Sequence, residues 1–512
     1  MKISNEDYMD SEYQKDEGPP KAESTLYKER FRPQFHFSPK KNWMNDPNGL
    51  VYYQGRYHCY FQYNPSGDQW GNIQWGHATS VDGIHWKEEQ VALKDETCMA
   101  FSGTTAILPK DYPAIGGTKG DLLAAYTSFE HHYPEGELMT IAQHQSLALS
   151  KDGGMSFAPL EQNPVLDIRS TEFRDPKIFY QPERDRWMML VVYADLHQVG
   201  FFTSTDLIDW QEVSRFGPAG NIDCVWECPD LFYLPLEDSE TGKWVLTVSA
   251  GHPQKGFLGM QYFIGEFDGD RFNADEAKLP HYLDYGKDFY AGICFVHNPK
   301  EEGVLMMGWI GNHLYSRLTP TSPWRGALSV PRRLKLKVLN NRVQLCSEPH
   351  YSGIASLVNS TLWNKQTIRL NNGALDPGIR GKCLFISIDF ERKGAEECGL
   401  KLLKNKEHST TVGLHFGDQE LFVDRRNSGS IEIHKDFASR DTCLLPYTKG
   451  IHRLEILLDN SVLEVFYNRG ERVFTHLVFG PEEADGIRIY AKKGEILIHQ
   501  AQIQQLSKIW SS

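Results

Sequence analysis

One short pattern recurs along the first half of the chain, and it constrains the fold more than any other feature. Ala78-Thr79-Ser80-Val81-Asp82-Gly83-Ile84-His85-Trp86 is matched by Ala148-Leu149-Ser150-Lys151-Asp152-Gly153 through Phe157, and by Phe202-Thr203-Ser204-Thr205-Asp206 through Trp210. A looser copy runs from Gly265-Glu266-Phe267-Asp268-Gly269 to Phe272. Each copy reads as a strand end, an Asp-Gly-type turn and an aromatic residue opening the next strand. The three clear copies begin 70 and 54 residues apart, which suits four-stranded propeller blades with long loops better than a sandwich. Roughly 310 residues of this texture, at about 60 per blade, predict five blades.

The chain has 512 residues, whereas a single core rarely grows past about 300, so two domains are expected. Residues 1–25 are polar and charged, with Gly18-Pro19-Pro20 near their end, and read as a disordered acidic tail. Residues 26–337 are assigned to the propeller and 338–355 to a linker. Within the propeller, Val51–Tyr53 and Tyr57–Tyr63 flank Gln54-Gly55-Arg56, a hairpin signal. In residues 356–512 the repeat is gone but half-polar strands continue, for example at Cys383–Phe390, Thr411–Phe416, Leu454–Asp459, Val462–Phe466 and Gly486–Tyr490. Such a series predicts an antiparallel β-sandwich. The expected class is therefore all-β: a five-bladed β-propeller followed by a C-terminal antiparallel β-sandwich.

Loops from all blades of a propeller converge on its axis, so acidic residues far apart in sequence can meet there. Three blocks hold a carboxylate in a turn-rich context: Asn42-Trp43-Met44-Asn45-Asp46-Pro47-Asn48-Gly49, Phe173-Arg174-Asp175-Pro176 and Val225-Trp226-Glu227-Cys228-Pro229-Asp230. Taken singly, each has a plain local explanation: an Asx-turn before a hairpin, an ion pair at a turn, a Glu at a strand end. Residues before proline are held extended, which restricts Asp46 and Asp175 directly and Glu227 through Cys228. Backbones so restricted suit a preorganised site.

Together the three blocks resemble the signature of glycoside hydrolase family 32, the invertases, levanases, inulinases and sucrose-6-phosphate hydrolases. Phe61-Gln62-Tyr63-Asn64-Pro65, Gln74-Trp75-Gly76-His77-Ala78, Phe101-Ser102-Gly103, Asp288-Phe289-Tyr290-Ala291 and Trp324-Arg325-Gly326 extend the resemblance. So does Leu458-Asp459-Asn460-Ser461-Val462-Leu463-Glu464, although it lacks the family's Arg after the Asp. The resemblance covers about residues 30–505 and implies a retaining, exo-acting β-fructofuranosidase. Asp46 would be the nucleophile and Glu227 the acid/base, with about 5–5.5 Å between such carboxylates. Asp175 would hold fructose hydroxyls. Asn45, Gln62, Ser102 and Arg174 would complete the polar shell, and Trp43, Trp70, Phe101 and Trp309 the apolar walls. Trp309, in Met307-Gly308-Trp309, reads almost equally as a core aromatic. Glu227 should have a raised pKa and Asp46 should stay ionised. No metal or organic cofactor is required. A sucrose-6-phosphate hydrolase and a fructosyltransferase remain alternatives on the same scaffold.

A net charge of −13 argues against nucleic acid or anionic membrane as a partner and fits a neutral or small substrate; the resemblance implies that this is a sugar, sucrose, a fructo-oligosaccharide or a fructan. Aromatic residues reach 12%, which suits sugar packing and large β-sheet cores equally. Cys224 and Cys228 lie four apart, but no second pair or His cluster completes a zinc site. Nine scattered cysteines, with no apolar stretch after Met1 to act as a signal peptide, predict a cytoplasmic protein. Sandwich domains can dimerise, so a homodimer stands open beside a monomer.

Overall fold

Five sheets, each with four antiparallel strands in chain order, follow one another from Asn42 to Pro349 in the computed structural model. The structure describes residues 26–132, 140–237, 239–446 and 450–510, so the tail expected at 1–25 lies outside the described residues. The sheets are the blades of a five-bladed propeller. Their innermost strands are Asn42–Tyr53, Met99–Ile107, Phe173–Gln181, Glu227–Pro235 and Tyr290–Cys294. The short strand Trp324–Arg325 runs parallel to Asn42–Trp43 and so joins the last blade's loop to the first blade.

The recurrent pattern marks one structural event, the turn from the third to the fourth strand of a blade. In blade 1, Asp82 Oδ1 accepts from the backbone N–H groups of Ile84 and His85, at 3.0 and 2.8 Å. Asp152 takes Met155 and Ser156 in the same way, Asp206 takes Ile208 and Asp209, and Asp268 takes Asp270 and Arg271. A carboxylate that satisfies two turn N–H groups explains why Asp recurs there. Blade 5 makes the same turn differently. Leu339 pairs with Arg342 across Asn340-Asn341, both at positive φ, so it needs no Asp and left no copy of the motif. The hairpin expected in blade 1 closes on Gln54 and Gly55, also both at positive φ.

Each pair of neighbouring blades encloses its own apolar layer. Tyr60, Trp75, Leu122 and Tyr126 pack between blades 1 and 2, and Ile178, Trp187, Leu123 and Leu147 between 2 and 3. Leu190, Phe201, Trp226 and Phe263 lie between blades 3 and 4, and Val245, Met260, Met306 and Leu334 between 4 and 5. Met44, Phe61, Leu305 and Met307 close the ring between 5 and 1. Because both faces of inner blades are covered, the strands read as continuous apolar runs such as Trp187–Val192.

Residues 338–355 are not a linker. They hold the strand Arg342–Pro349, the outer edge of blade 5, and the start of the helix Tyr351–Leu357. The remaining strands form the β-sandwich around Leu384, Ile386, Leu400, Val412, Ile456 and Ile489. It docks on the propeller through buried charge. Asp459 accepts from the N–H groups of Gln34, Phe35 and His36, and His36 bridges Asp459 and Glu464 at 2.9 Å each. Arg332 binds Glu464 and Asp284, and Arg425 binds Asp288 at 2.6 Å. Asn460, next to Asp459, donates to the Arg32 carbonyl at 2.6 Å.

Candidate active site

All five innermost strands break their pairing register near the end that faces the axis. The breaks fall at Met44/Pro47, Ala100/Gly103, Arg174/Lys177, Glu227/Asp230 and Tyr290/Ile293. Such bulges re-aim side chains. Asp46, Ser102 and Asp175 sit inside three of them, and Glu227 and Tyr290 border the other two. The expectation that residues before proline are extended fails at two places. Asp175 and Cys228 have φ of 62° and 47°, as Ala291 has 53° in the fifth bulge. The bulges of blades 3, 4 and 5 each carry a left-handed residue, and in two of them hydrogen bonds compensate the strain: Asp175 N–H donates to Thr127 Oγ1 and Cys228 N–H to Asp175 Oδ2, both at 2.9 Å.

The expected residues meet around the axis. Ser102 Oγ donates to Asp46 Oδ2 at 2.7 Å, and Asn45 Nδ2 to Asp46 Oδ1 at 3.0 Å. Trp43 Nε1 donates to Asn45 Oδ1 at 2.8 Å, which fixes that amide. Arg174 Nε donates to Glu227 Oε1 at 3.1 Å, while its Nη1 reaches Glu172 and Gln143. The Trp43 and Trp309 rings pack at 6.2 Å, and those of Trp70 and Phe101 at 5.9 Å. Trp309 is both things it was read as, a fully buried aromatic and part of the cluster with Trp43. Gln62 is one step removed. It lies on the second strand of blade 1, and its amide donates to the Ala100 carbonyl at 3.4 Å. Gly103 follows Ser102 because a Cβ there would lie 1.9 Å from the Ala125 carbonyl oxygen.

Three participants were not anticipated. Tyr290 OH donates a short hydrogen bond to Glu227 Oε2. Cys228 Sγ lies 3.6 Å from Asp46 Oδ2 and 3.7 Å from Asp175 Oδ2. His313 packs against Tyr290 and Trp309. Tyr290 and Cys228 stand inside quoted blocks, so their positions were visible and their contacts were not. His313 carries no local signal.

The charge distribution reverses the expected one. Burial pushes the Glu227 carboxyl up, but Arg174, His313 and the Tyr290 hydrogen bond outweigh it and hold Glu227 below its ordinary value. Burial, with the Glu227 charge adding to it, raises Asp46, against His313, Ser102 and Asn45, which favour its charged form. Burial and Glu227 lift Asp175 to about 7. The cation and the phenol that decide this come from blades 3 and 5, out of reach of any reading of the Glu227 block alone.

The model of the glycosyl hydrolases family 32 N-terminal domain matches residues 36–349, and that of the family 32 C terminal matches residues 354–509. The chain belongs to glycosyl hydrolase family 32. This family 32 glycoside hydrolase is 35% identical to the extracellular exo-inulinase of Aspergillus ficuum over 522 residues, which covers 96% of this chain and 97% of that one. It is 36% identical to the levanase of Bacillus subtilis (strain 168), over 96% of this chain and 72% of the levanase. The crystal structure of exo-inulinase from Aspergillus awamori superposes with a TM-score of 0.87 at 34% identity, over 94% of this chain and all of that one (100%). The fructofuranosidase from Schwanniomyces occidentalis complexed with fructose gives 0.84 at 29% identity, over 95% and 100%.

These relatives overturn the expectation of a cytoplasmic protein, since the exo-inulinases matched along nearly their full length are named extracellular enzymes. The unpaired thiols do not support that expectation either. Seven of the nine cysteines of this family 32 protein are buried, and buried thiols held apart are inert in any compartment.

Proposed function

We propose that this family 32 enzyme is a retaining, exo-acting β-fructofuranosidase that releases terminal β-D-fructosyl units from sucrose and fructans. The observation that carries the reading is the meeting of Asp46, Asp175 and Glu227 from blades 1, 3 and 4, with distinct partners on each. Asp46 attacks C2 of the fructosyl unit as the bond from C2 to the leaving oxygen breaks. Glu227 gives its proton to that oxygen. In the second step Glu227 takes a proton from water, the water oxygen bonds to C2, and the Asp46 ester is released.

The charge reversal fits this cycle through the substrate. Fructosyl hydroxyls donating to Asp175 favour its ionised form, and their binding displaces water around Glu227. A proton shared among the three carboxylates then moves toward Glu227, where it is needed. Asn45, Ser102 and Arg174 orient the carboxylates, and Trp43, Trp70, Phe101 and Trp309 form the apolar walls. The relatives named exo-inulinase, levanase and invertase support sucrose and fructans over sucrose 6-phosphate.

The test is fructose release from sucrose, sucrose 6-phosphate, inulin and levan, compared by kcat/KM, with Asp46→Ala and Glu227→Ala as controls. Methanol added as acceptor should yield methyl β-D-fructofuranoside, with configuration retained. An inverted methyl product removes the covalent step, and preference for the phosphorylated sugar removes the substrate assignment.

A further inference from the structure

His313 stands on the turn that follows the strand Leu305–Ile310 of blade 5. The turn is tightly held. Asn312 donates from its backbone N–H to Ser316 Oγ at 2.8 Å and from Nδ2 to the Lys287 carbonyl at 2.7 Å. Its side-chain oxygen accepts the Leu314 N–H at 3.0 Å, and its carbonyl accepts the Ser316 N–H at 2.8 Å. Tyr315 is fully buried and donates to Asp288 at 2.5 Å, which Arg425 of the sandwich also binds. What this fixed turn presents outward is His313, half-buried, and the exposed Leu314.

The imidazole makes no hydrogen bond among the described residues. It rests edge-on against Tyr290 at 5.3 Å and tilted against Trp309 at 5.0 Å. Tyr290 is the donor to Glu227. His313 therefore neighbours Glu227 through Tyr290, and it is half-buried where Asp175, Asn45 and Ser102 are buried. Both ring nitrogens are thus unspent on protein hydrogen bonds and can act as donor and acceptor to a ligand.

We infer that His313 recognises the leaving sugar, by a hydrogen bond from its imidazole to a hydroxyl of the unit next to the scissile bond. The inference rests on the fructofuranosidase reading, because it is the acid/base that defines the leaving-group side. Rigid presentation of one free polar group beside aromatic walls is how sugar pockets gain orientation at little entropic cost. The site adds discrimination among leaving groups to a pocket whose carboxylates act on the fructosyl unit and the glycosidic oxygen.

The decisive comparison is sucrose against methyl β-D-fructofuranoside, whose leaving group is methanol and offers no sugar hydroxyl. In His313→Phe the kcat/KM for sucrose should fall about tenfold relative to that for the methyl glycoside, the loss expected for one neutral hydrogen bond. His313→Gln, which keeps a donor and an acceptor, should recover part of that ratio, and it reads the same effect if the Phe variant folds poorly. Equal losses on both substrates, which leave the ratio unchanged, would mean that His313 acts through the carboxylates alone and would overturn the inference. Wild-type protein that releases fructose from neither substrate would instead sink the fructofuranosidase reading on which this one stands.

Discussion

Arg174 Nε donates to Glu227 Oε1 at 3.1 Å, so the cation beside one carboxylate of the site is spent on another, 53 residues further along the chain. With the Tyr290 hydrogen bond it holds Glu227 low, while Asp46 and Asp175 are pushed up. Proton occupancy is thus a property of the whole cluster rather than of any one carboxylate.

Tyr290→Phe removes a donor that favours ionised Glu227. The pKa of Glu227 then rises, and because an acid catalyst loses activity above its pKa, the basic limb of the kcat/KM profile should move upward by about one pH unit. A pH–rate profile checks this. A limb that stays in place or moves down rules out Tyr290 as a control on the acid.

Asp175→Asn should trade activity for stability. The Asp175 carboxyl is raised from 3.8 to about 7, so the fold opposes its ionisation and loses stability as pH climbs through that window. The neutral amide removes this penalty. Thermal unfolding should show a higher Tm than wild type at pH about 7.5, by a few degrees, and no gain at pH about 4. Fructose release should drop by about a thousandfold with the lost contact to the developing charge.

His36 links domain docking to pH. Burial lowers its pKa, but hydrogen bonds to Asp459 and Glu464 outweigh that and raise it to about 9. A folded pKa above the unfolded value of 6.5 gives stability that is complete below about 6.5 and fades as pH rises through about 9, on the order of 3 kcal/mol. Denaturant melts across that range should show the decline, and His36→Gln should flatten it while lowering stability at pH about 6.

Gly103→Ala should damage the site without touching its chemistry. The new Cβ would meet the Ala125 carbonyl oxygen at 1.9 Å, so the innermost strand of blade 2 must shift and carry Ser102 away from Asp46. Overpacking of this kind costs on the order of 1–3 kcal/mol. Activity should fall more than tenfold with substrate affinity and chemistry affected together. A variant with wild-type turnover would show that the Ser102–Asp46 bond is dispensable.

What the sequence determined is local. Ser-x-Asp turns, apolar runs and positive-φ dipeptides report on a few neighbouring residues, and from them the propeller, the blade number and the sandwich strands were legible. The acidic blocks were legible for the same reason, since each is a bulge written in consecutive residues. The tertiary structure decided the end of blade 5, where an Asn-Asn turn replaced the repeat's Asp. It decided the places of Cys228, Tyr290 and His313 as well. It also decided which carboxylate is favoured to hold a proton, against the expected order. A pKa answers to burial and to every charge within several ångströms, and here those charges come from blades separated by tens of residues, so no single block of sequence contains the answer.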